Sequence, residues 1–179
     1  AEMKRLEEEN NKLFIEAYGL QDELTPDVPD EQITLTRADR EKDSQRLVSY
    51  ALGCMMGRYS LDESGLIYAH AGNQDFDANR YQTFPADADG IIPLTEMHWF
   101  EDDATHRIRE FLTAVWGKDT LDANMQWLAE SLDKKASETA EDTIRRYLAS
   151  KFYKDHMQTY KKRPIYWLFS SGKQGAFQA

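Results

Sequence analysis

The stretch Lys161-Lys162-Arg163-Pro164-Ile165-Tyr166-Trp167-Leu168-Phe169-Ser170-Ser171 decides how the last part of this chain folds. Three consecutive cations precede a proline, and the proline opens a run of β-branched, aromatic and aliphatic residues. Because Pro164 has no amide N–H and disfavours helix for Arg163, a helix that arrives from the N-terminal side must end there. Residues 165–169 then predict a short, largely buried strand with core aromatics. Ala176–Gln178 predict a returning strand, which gives a β-hairpin near the C-terminus.

Most of the remaining chain shows the apolar spacing of helices. The first predicted helix covers residues 38–57 after an N-cap at Thr36, and the second runs from Asp102 or Asp103 to Gly117. A third is marked by Leu121, Met125, Leu128 and Leu132. The last is a long helix that starts at Thr139 and Asp142 and includes Phe152 and Met157. Residues 66–69 and 91–94 predict short extended segments. The expected fold class is therefore mainly α with a small β component: a helical domain preceded by a short coiled-coil-like helix.

The N-terminal residues fit a heptad register of less than three repeats. The two core positions of that register hold Met3, Asn10 and Ala17, and Leu6, Leu13 and Leu20. A polar residue at such a position sets register or partner choice, so Leu6, Asn10 and Leu13 are candidate interface residues. The alternative is an amphipathic helix that packs on its own domain.

Charge is distributed unevenly along the 179 residues. The whole chain carries −10, but from Arg145 onward eight lysines and arginines face one aspartate, so that segment carries +7 and the rest −17. An acidic whole disfavours a free-standing nucleic-acid binder, whereas a basic end permits local phosphate contact. The single cysteine, Cys54, excludes an internal disulfide and predicts a small buried side chain in a reducing cytoplasm. A run of about 20 apolar residues, which a membrane helix needs, is missing.

Known catalytic motifs are missing from the sequence, including glycine-rich phosphate loops and the Gly-x-Ser-x-Gly nucleophile elbow. His98 and His106 flank three acids, but their spacing matches no metal-ligand motif, so no metal site is predicted. A nuclease-like set of Asp27 or Asp30 with residues 133–135 is the kind of triplet that arises by chance in a charged chain.

The basic cluster beside the proline is the strongest local signal. Lys161, Lys162 and Arg163, together with Lys154 on the preceding helix, are candidate contacts to DNA phosphate. The alternative is that these cations only complement the negative end of the helix dipole.

Several segments together resemble the C-terminal region of the PglX-like adenine-specific DNA methyltransferases of BREX phage-exclusion systems, which are related to combined restriction-modification methylases. The segments are residues 6–20 (LEEENNKLFIEAYGL), 50–61 (YALGCMMGRYSL), 84–87 (FPAD), 99–100 (WF) and 152–171. The resemblance covers nearly the whole chain. Each segment alone is weak, and the combination is specific.

The resemblance implies a role in DNA modification without an active site in this chain. The family's Asn-Pro-Pro-Tyr/Phe motif and its S-adenosylmethionine loop are absent, so no catalytic or cofactor-binding residue is assigned, and the cofactor is expected only in the parent enzyme. Expected partners are double-stranded DNA through the parent, other parts of the methyltransferase and other defence-system subunits, with no membrane. The expected domains are residues 1–24 (coiled-coil-like helix after the target-recognition part), 25–37 (proline-rich connector) and 38–179 (helical C-terminal domain), incomplete at both ends. A protein-interaction module without DNA contact is the alternative function.

Overall fold

The computed structural model describes residues 2–34, 38–70, 74–163, 165–170 and 176–178. The chain divides into two compact units, Ala1–Asp39 and Arg40–Ala179. The helices are α1 Glu2–Tyr18, α2 Arg40–Met55, α3 Ala104–Trp116, α4 Leu121–Ser131, α5 Ala140–Ser150 and α6 Phe152–Thr159, and the strands are β1 Ile92–Leu94, β2 Leu168–Ser170 and β3 Ala176–Gln178. The predicted class, mainly α with a small β component, is confirmed.

In the first unit, the segment after α1 folds back along one face of that helix. Polar side chains of α1 hold it, and no residue of α1 is buried. The contacts are Lys4 Nζ to Asp30 Oδ1 at 3.2 Å, the Thr34 N–H to Glu7 Oε1 at 3.0 Å, the Val28 N–H to Glu8 Oε1 at 3.3 Å, and Asn11 Nδ2 to the Pro26 carbonyl at 3.3 Å. This unit is thus held mainly by exposed polar contacts.

The second unit is built on an apolar core shared by α2 to α6 and the sheet. α2 has a continuous buried stripe at helical spacing, which covers Val48, Ala51, Leu52 and Met55. The stripe packs on apolar residues of the later elements, among them Ile92, Ile108, Phe111, Leu128, Ile144, Tyr147 and Phe152. Cys54 is buried as predicted, and burial raises the pKa of its thiol to about 11.

Caps fix where two of these helices begin. The Asp103 side chain accepts the His106 N–H and starts α3, and Gly117 ends that helix at φ +85°, so both predicted boundaries are confirmed. A reciprocal capping box between Thr139 and Asp142 starts α5, also as predicted. The Thr36 N-cap predicted for α2 lies outside the described residues.

The long helix predicted from Thr139 onward is two helices. The φ of Lys151, −117°, departs from the ideal helical value, and α5 ends at Ser150 while α6 begins at Phe152. Phe152 is buried, and its ring packs edge-on against Tyr147 at 6.3 Å between centroids. The first residue of α6 therefore belongs to the core.

The sheet has three short antiparallel strands in the order β1-β3-β2. Gln178 lies opposite Ile92 on one side and Leu168 on the other, so the last strand in the chain is the central one. The antiparallel pair of β2 and β3 confirms the predicted hairpin. Residues 171–175, which connect the two strands in the sequence, lie outside the described residues.

The predicted buried strand over residues 165–169 is wrong in both its start and its burial. β2 begins only at Leu168, because the Ile165 N–H donates to His156 Nε2 at 3.2 Å instead of to a neighbouring strand. Of the three aromatic residues expected in the core, one is buried and two are exposed: Tyr166 at 4%, and Trp167 and Phe169 at 67% and 51%.

The extended segment predicted at residues 66–69 does not pair as a strand. The Ile67 N–H donates to the Arg58 carbonyl at 3.0 Å, in the turn that follows α2, and Leu66 is exposed. With a turn rather than a strand beside it, this apolar stretch is irregular. Across the described ranges, every helix is too short or too polar to cross a membrane.

Candidate functional site

The C-terminal end of α6 turns sharply and presents the predicted cations. Lys161 and Lys162 both have left-handed backbone, at φ +51° and +63°, which costs lysine about 1 kcal/mol per residue relative to glycine. Their N–H groups donate to the carbonyls of Gln158 and Met157, and the Arg163 N–H donates to that of Tyr160. The turn thus satisfies the last helix carbonyls with backbone donors and leaves the three side chains outside.

Four cations proposed from the sequence remain available for an anion. Lys154, Lys161, Lys162 and Arg163 are all exposed, and within the described part of the chain none of them makes an ion pair. The nearby carboxylate of Asp155 instead accepts the Tyr147 hydroxyl at 3.1 Å. Positive groups near the negative end of a helix are favourable by themselves, so this geometry fits both the dipole role and a phosphate role.

Directly before these cations, α6 carries a buried histidine inside an aromatic cluster. His156 is 2% exposed, and its ring contacts Tyr160 at 4.8 Å and Tyr166 at 5.2 Å between centroids. Burial, helped by the positive charge of Arg58, lowers the pKa of His156. Its Nε2 accepts the Ile165 N–H, whereas its Nδ1 is buried with no hydrogen-bond partner among the described residues.

A cleft of about 320 Å³ opens between α2 and α6 beside this histidine. Lys42, Arg46 and Ser49 on α2 line one wall at helical spacing, and Asp155, His156 and Tyr160 line the other. Tyr50 and Tyr59, whose ring centroids are 5.3 Å apart, also line it.

Gly53 explains how Tyr59 approaches α2 so closely. A Cβ at residue 53 would lie 2.5 Å from Tyr59 Cδ2, which is well inside van der Waals contact. The glycine inside the segment YALGCMMGRYSL therefore shapes the cleft, and sequence reasoning missed this site. The available signal was the spacing of Lys42, Arg46 and Ser49, which places them on one face of a helix.

The candidate interface residues on α1 form an exposed stripe. Leu6 and Leu13 are 45% and 62% exposed, and Asn10 between them is also exposed. The face that holds the back-folded segment is a different one, which carries Lys4, Glu8 and Asn11. The residues of the heptad register are thus available for contact in this unit.

The histidine and acid group considered for a metal is instead a salt-bridge network. The Asp103 carboxylate is buried and binds Arg145 Nη1 at 2.6 Å, the His106 N–H at 2.8 Å and His98 Nδ1 at 3.0 Å. Burial opposes ionisation of Asp103, but these donors outweigh it, so its pKa is lowered. Among the described residues, no set of three or more metal-ligating side chains is placed to share an ion.

Comparison with known proteins identifies two relatives. The chain is 53% identical over 154 residues to the adenine-specific methyltransferase BrxX of Escherichia coli O9:H4 (strain HS). This alignment covers 81% of this chain and 13% of that protein. The chain is also 44% identical over 181 residues to the adenine-specific methyltransferase PglX of Lacticaseibacillus casei (strain Zhang). This second alignment covers 99% of this chain and 15% of that protein. No protein-family model matches the chain.

The chain thus spans less than one sixth of the length of either relative. The alignment with the PglX relative covers 99% of the chain and therefore includes both the α2 and the α6 sequence. The resemblance predicted from the sequence is confirmed: this chain is homologous to one segment of the PglX-like adenine-specific methyltransferases.

Proposed function

We propose that this chain is a non-catalytic C-terminal domain of a site-specific adenine-N6 DNA methyltransferase in a cytoplasmic BREX phage-defence system. In this proposal the domain helps the parent enzyme hold its double-stranded DNA. The observation that carries it is the group of four exposed cations, Lys154, Lys161, Lys162 and Arg163, on a chain of net charge −10. The names of the two relatives support the reaction class.

The catalytic step belongs to other parts of the parent. Adenine methylation needs a flipped base beside S-adenosylmethionine, in a pocket that the parent's Asn-Pro-Pro motif would line. This sequence has neither that motif nor a glycine-rich cofactor loop. The strands of the described residues are antiparallel rather than joined by parallel βαβ crossovers, so they do not fit that cofactor. We therefore assign S-adenosylmethionine to the parent and no step of methyl transfer to this chain.

The cations would act as phosphate contacts and not as readers of sequence. Lysine side chains position a protein on the backbone, whereas base readout needs paired donors and acceptors on an element that enters a groove. Because Lys161 and Lys162 follow one another in left-handed backbone, their side chains diverge, and at most two of the three consecutive cations are expected to reach one strand. The expected contribution is thus moderate and independent of sequence.

The test is a salt titration of duplex DNA binding by the full-length enzyme with Lys161→Ala and Lys162→Ala combined. Each lost phosphate contact should reduce the slope of log K against log salt by about 0.9, on all sequences alike. The matched control is Lys118→Ala with Lys135→Ala, which removes two exposed lysines elsewhere on the same unit. An unchanged slope in the first variant, with folding intact, would leave these cations with only the helix-dipole role.

A second function is favoured by the exposed heptad stripe. In this alternative the chain is a protein-interaction module, and Leu6, Asn10 and Leu13 contact another part of the methyltransferase or another defence-system subunit. The proposed domain limits, residues 1–24, 25–37 and 38–179, would then separate the contact helix from the helical domain. The observation behind it is that α1 buries none of its residues.

This alternative is tested by Asn10→Leu, which replaces the polar residue of the stripe with an apolar one. A coiled-coil contact predicts stronger self-association or a changed partner, because a core asparagine restricts register and oligomer state. Sedimentation velocity and partner pull-down measure both. Lys12→Leu, on an exposed position outside the stripe, is the control, and equal behaviour of the two variants would exclude the contact.

A further inference from the structure

The cleft between α2 and α6 has features that neither phosphate contact at residues 161–163 nor the heptad stripe explains. It is roomy, at about 320 Å³, which is within the range of about 300–1,000 Å³ typical of small-molecule sites. Cationic, hydroxyl and aromatic side chains converge on it from two helices. A buried histidine, His156, lies in its wall.

The hydrogen bonding of His156 defines what its free nitrogen can do. A neutral imidazole has one N–H and one acceptor nitrogen. Because Nε2 accepts the Ile165 N–H, the proton of the neutral ring is on Nδ1. Burial lowers the pKa of this histidine, so the neutral form prevails near pH 7. Nδ1 is thus a buried donor that lacks an acceptor among the described residues and is closed off from the cleft, so His156 contributes to the cleft by packing on Tyr160.

The two walls of the cleft differ in charge. Lys42 and Arg46 lie one helical turn apart on α2, and Arg46 pairs with the exposed Asp43 at 2.9 Å, a surface contact of small net strength. The opposite wall carries the Asp155 carboxylate, already engaged by a tyrosine hydroxyl. An anionic group would therefore be placed against α2, with the rest of the ligand toward α6.

The α6 wall is aromatic. Tyr160 packs on His156, and Tyr50 and Tyr59 also line the cleft. Tyrosine faces stack on nucleobases with little preference among them. Cations on one wall and aromatic rings on the other are the complement of a phosphate joined to a planar base.

We infer that this cleft binds a nucleotide, with its phosphate on Lys42 and Arg46 and its base against Tyr160. The inference goes beyond the proposed function, because it needs no contact between duplex DNA and residues 161–163. The same chemistry is offered by a free mononucleotide and by an unpaired nucleotide within a nucleic acid strand.

The experiment titrates the protein with two probes: adenosine 5′-monophosphate, and a single-stranded oligonucleotide of about ten nucleotides. Binding is measured by calorimetry and fluorescence anisotropy. Tyr160→Ala should weaken binding roughly tenfold by removing base stacking, whereas Tyr160→Phe should keep it within about twofold. Tyr153→Ala is the matched control, since Tyr153 also packs on His156 but does not line the cleft.

Two further measurements keep the test independent of folding defects. Lys42→Ala with Arg46→Ala changes only exposed positions and should weaken both probes, while Lys118→Ala should not. The imidazole nitrogen signals of His156 should shift on addition of adenosine monophosphate. Lys161→Ala with Lys162→Ala should leave mononucleotide binding unchanged, so this result and the duplex result can be told apart.

The outcomes distinguish a free mononucleotide, an unpaired nucleotide within a strand, and the absence of nucleotide binding. Binding of the mononucleotide assigns a free nucleotide as ligand, and binding of the oligonucleotide alone assigns an unpaired nucleotide of a strand. If neither probe binds, or if Tyr160→Ala and the Lys42/Arg46 variant bind both as well as the unchanged protein, the inference is overturned.

Discussion

α1 and α2 have almost the same length, 17 and 16 residues, yet they are stabilised in different ways. α1 buries none of its residues and is held by exposed ion pairs and by side-chain bonds to the segment that follows it. α2 buries seven, four of them at the apolar spacing of a core stripe. The difference teaches that amphipathic sequence alone does not decide burial: the residues that pack against the stripe decide it.

The largest expected effect on the free energy of unfolding comes from a comparison in which one leucine on each helix is replaced by alanine. Leu52→Ala on α2 should lower the free energy of unfolding by about 3 kcal/mol, because Leu52 is fully buried and the change leaves a cavity. Leu13→Ala on α1 should stay within about 0.5 kcal/mol, because Leu13 is 62% exposed. Urea unfolding curves measure both. Equal effects would mean that α1 is buried in solution, as a self-associated helix would be.

A smaller effect is expected from acid, and only on the second unit. Since the pKa of His156 is lowered in the folded state, the unfolded chain binds a proton near its ordinary value of 6.5 while the folded chain does not. Stability should therefore fall as the pH drops below about 6.5, by at most about 1.4 kcal/mol per pH unit, until the folded pKa is reached.

The variant that tests this pH effect is His156→Gln. Glutamine at residue 156 retains an acceptor for the Ile165 N–H but does not titrate, so the slope in this pH window should flatten. Chemical unfolding at several pH values gives the slopes, and a slope that survives His156→Gln would assign the acid sensitivity to another group.

The smallest effect is expected in the first unit. Lys4→Ala removes the contact to Asp30. The Lys4 and Asp30 side chains are 36% and 58% exposed, so the loss of stability should be too small to resolve in an unfolding curve. Its consequence should be local: the backbone amides of Val28 and Thr34 should exchange faster with solvent. Hydrogen exchange measures this, with Lys12→Ala as control, and unchanged exchange would mean that the Glu7 and Glu8 contacts suffice.

The sequence predicted most of what depends on local chemistry. Asp103, Gly117 and the Thr139–Asp142 pair mark helix ends by bonds within a few residues, and these boundaries were confirmed. The break at Lys151 was missed because neither glycine nor proline marks it in the sequence. The start of the strand predicted over residues 165–169 was mispredicted because of a non-local contact: His156, nine residues away, accepts the Ile165 N–H.

Of the two candidate sites, the basic cluster could be predicted from the sequence and the cleft could not. The basic cluster was visible because its residues are consecutive in the sequence. The cleft was missed because its two walls are more than a hundred residues apart in the sequence. In the sequence alone, Lys42 and Arg46 have the pattern of an ordinary solvated helix face. Only the structure shows that α6 lies opposite to them.

The central position of β3 has a consequence for the order of folding. β1 and β3 join residues 86 positions apart, Ile92 and Gln178, whereas α3, α4, α5 and α6 follow one another directly along the chain. Contacts that are local in sequence close with less entropy loss and form earlier. We expect the helical core to assemble first, with the sheet closing over it in the final step of folding.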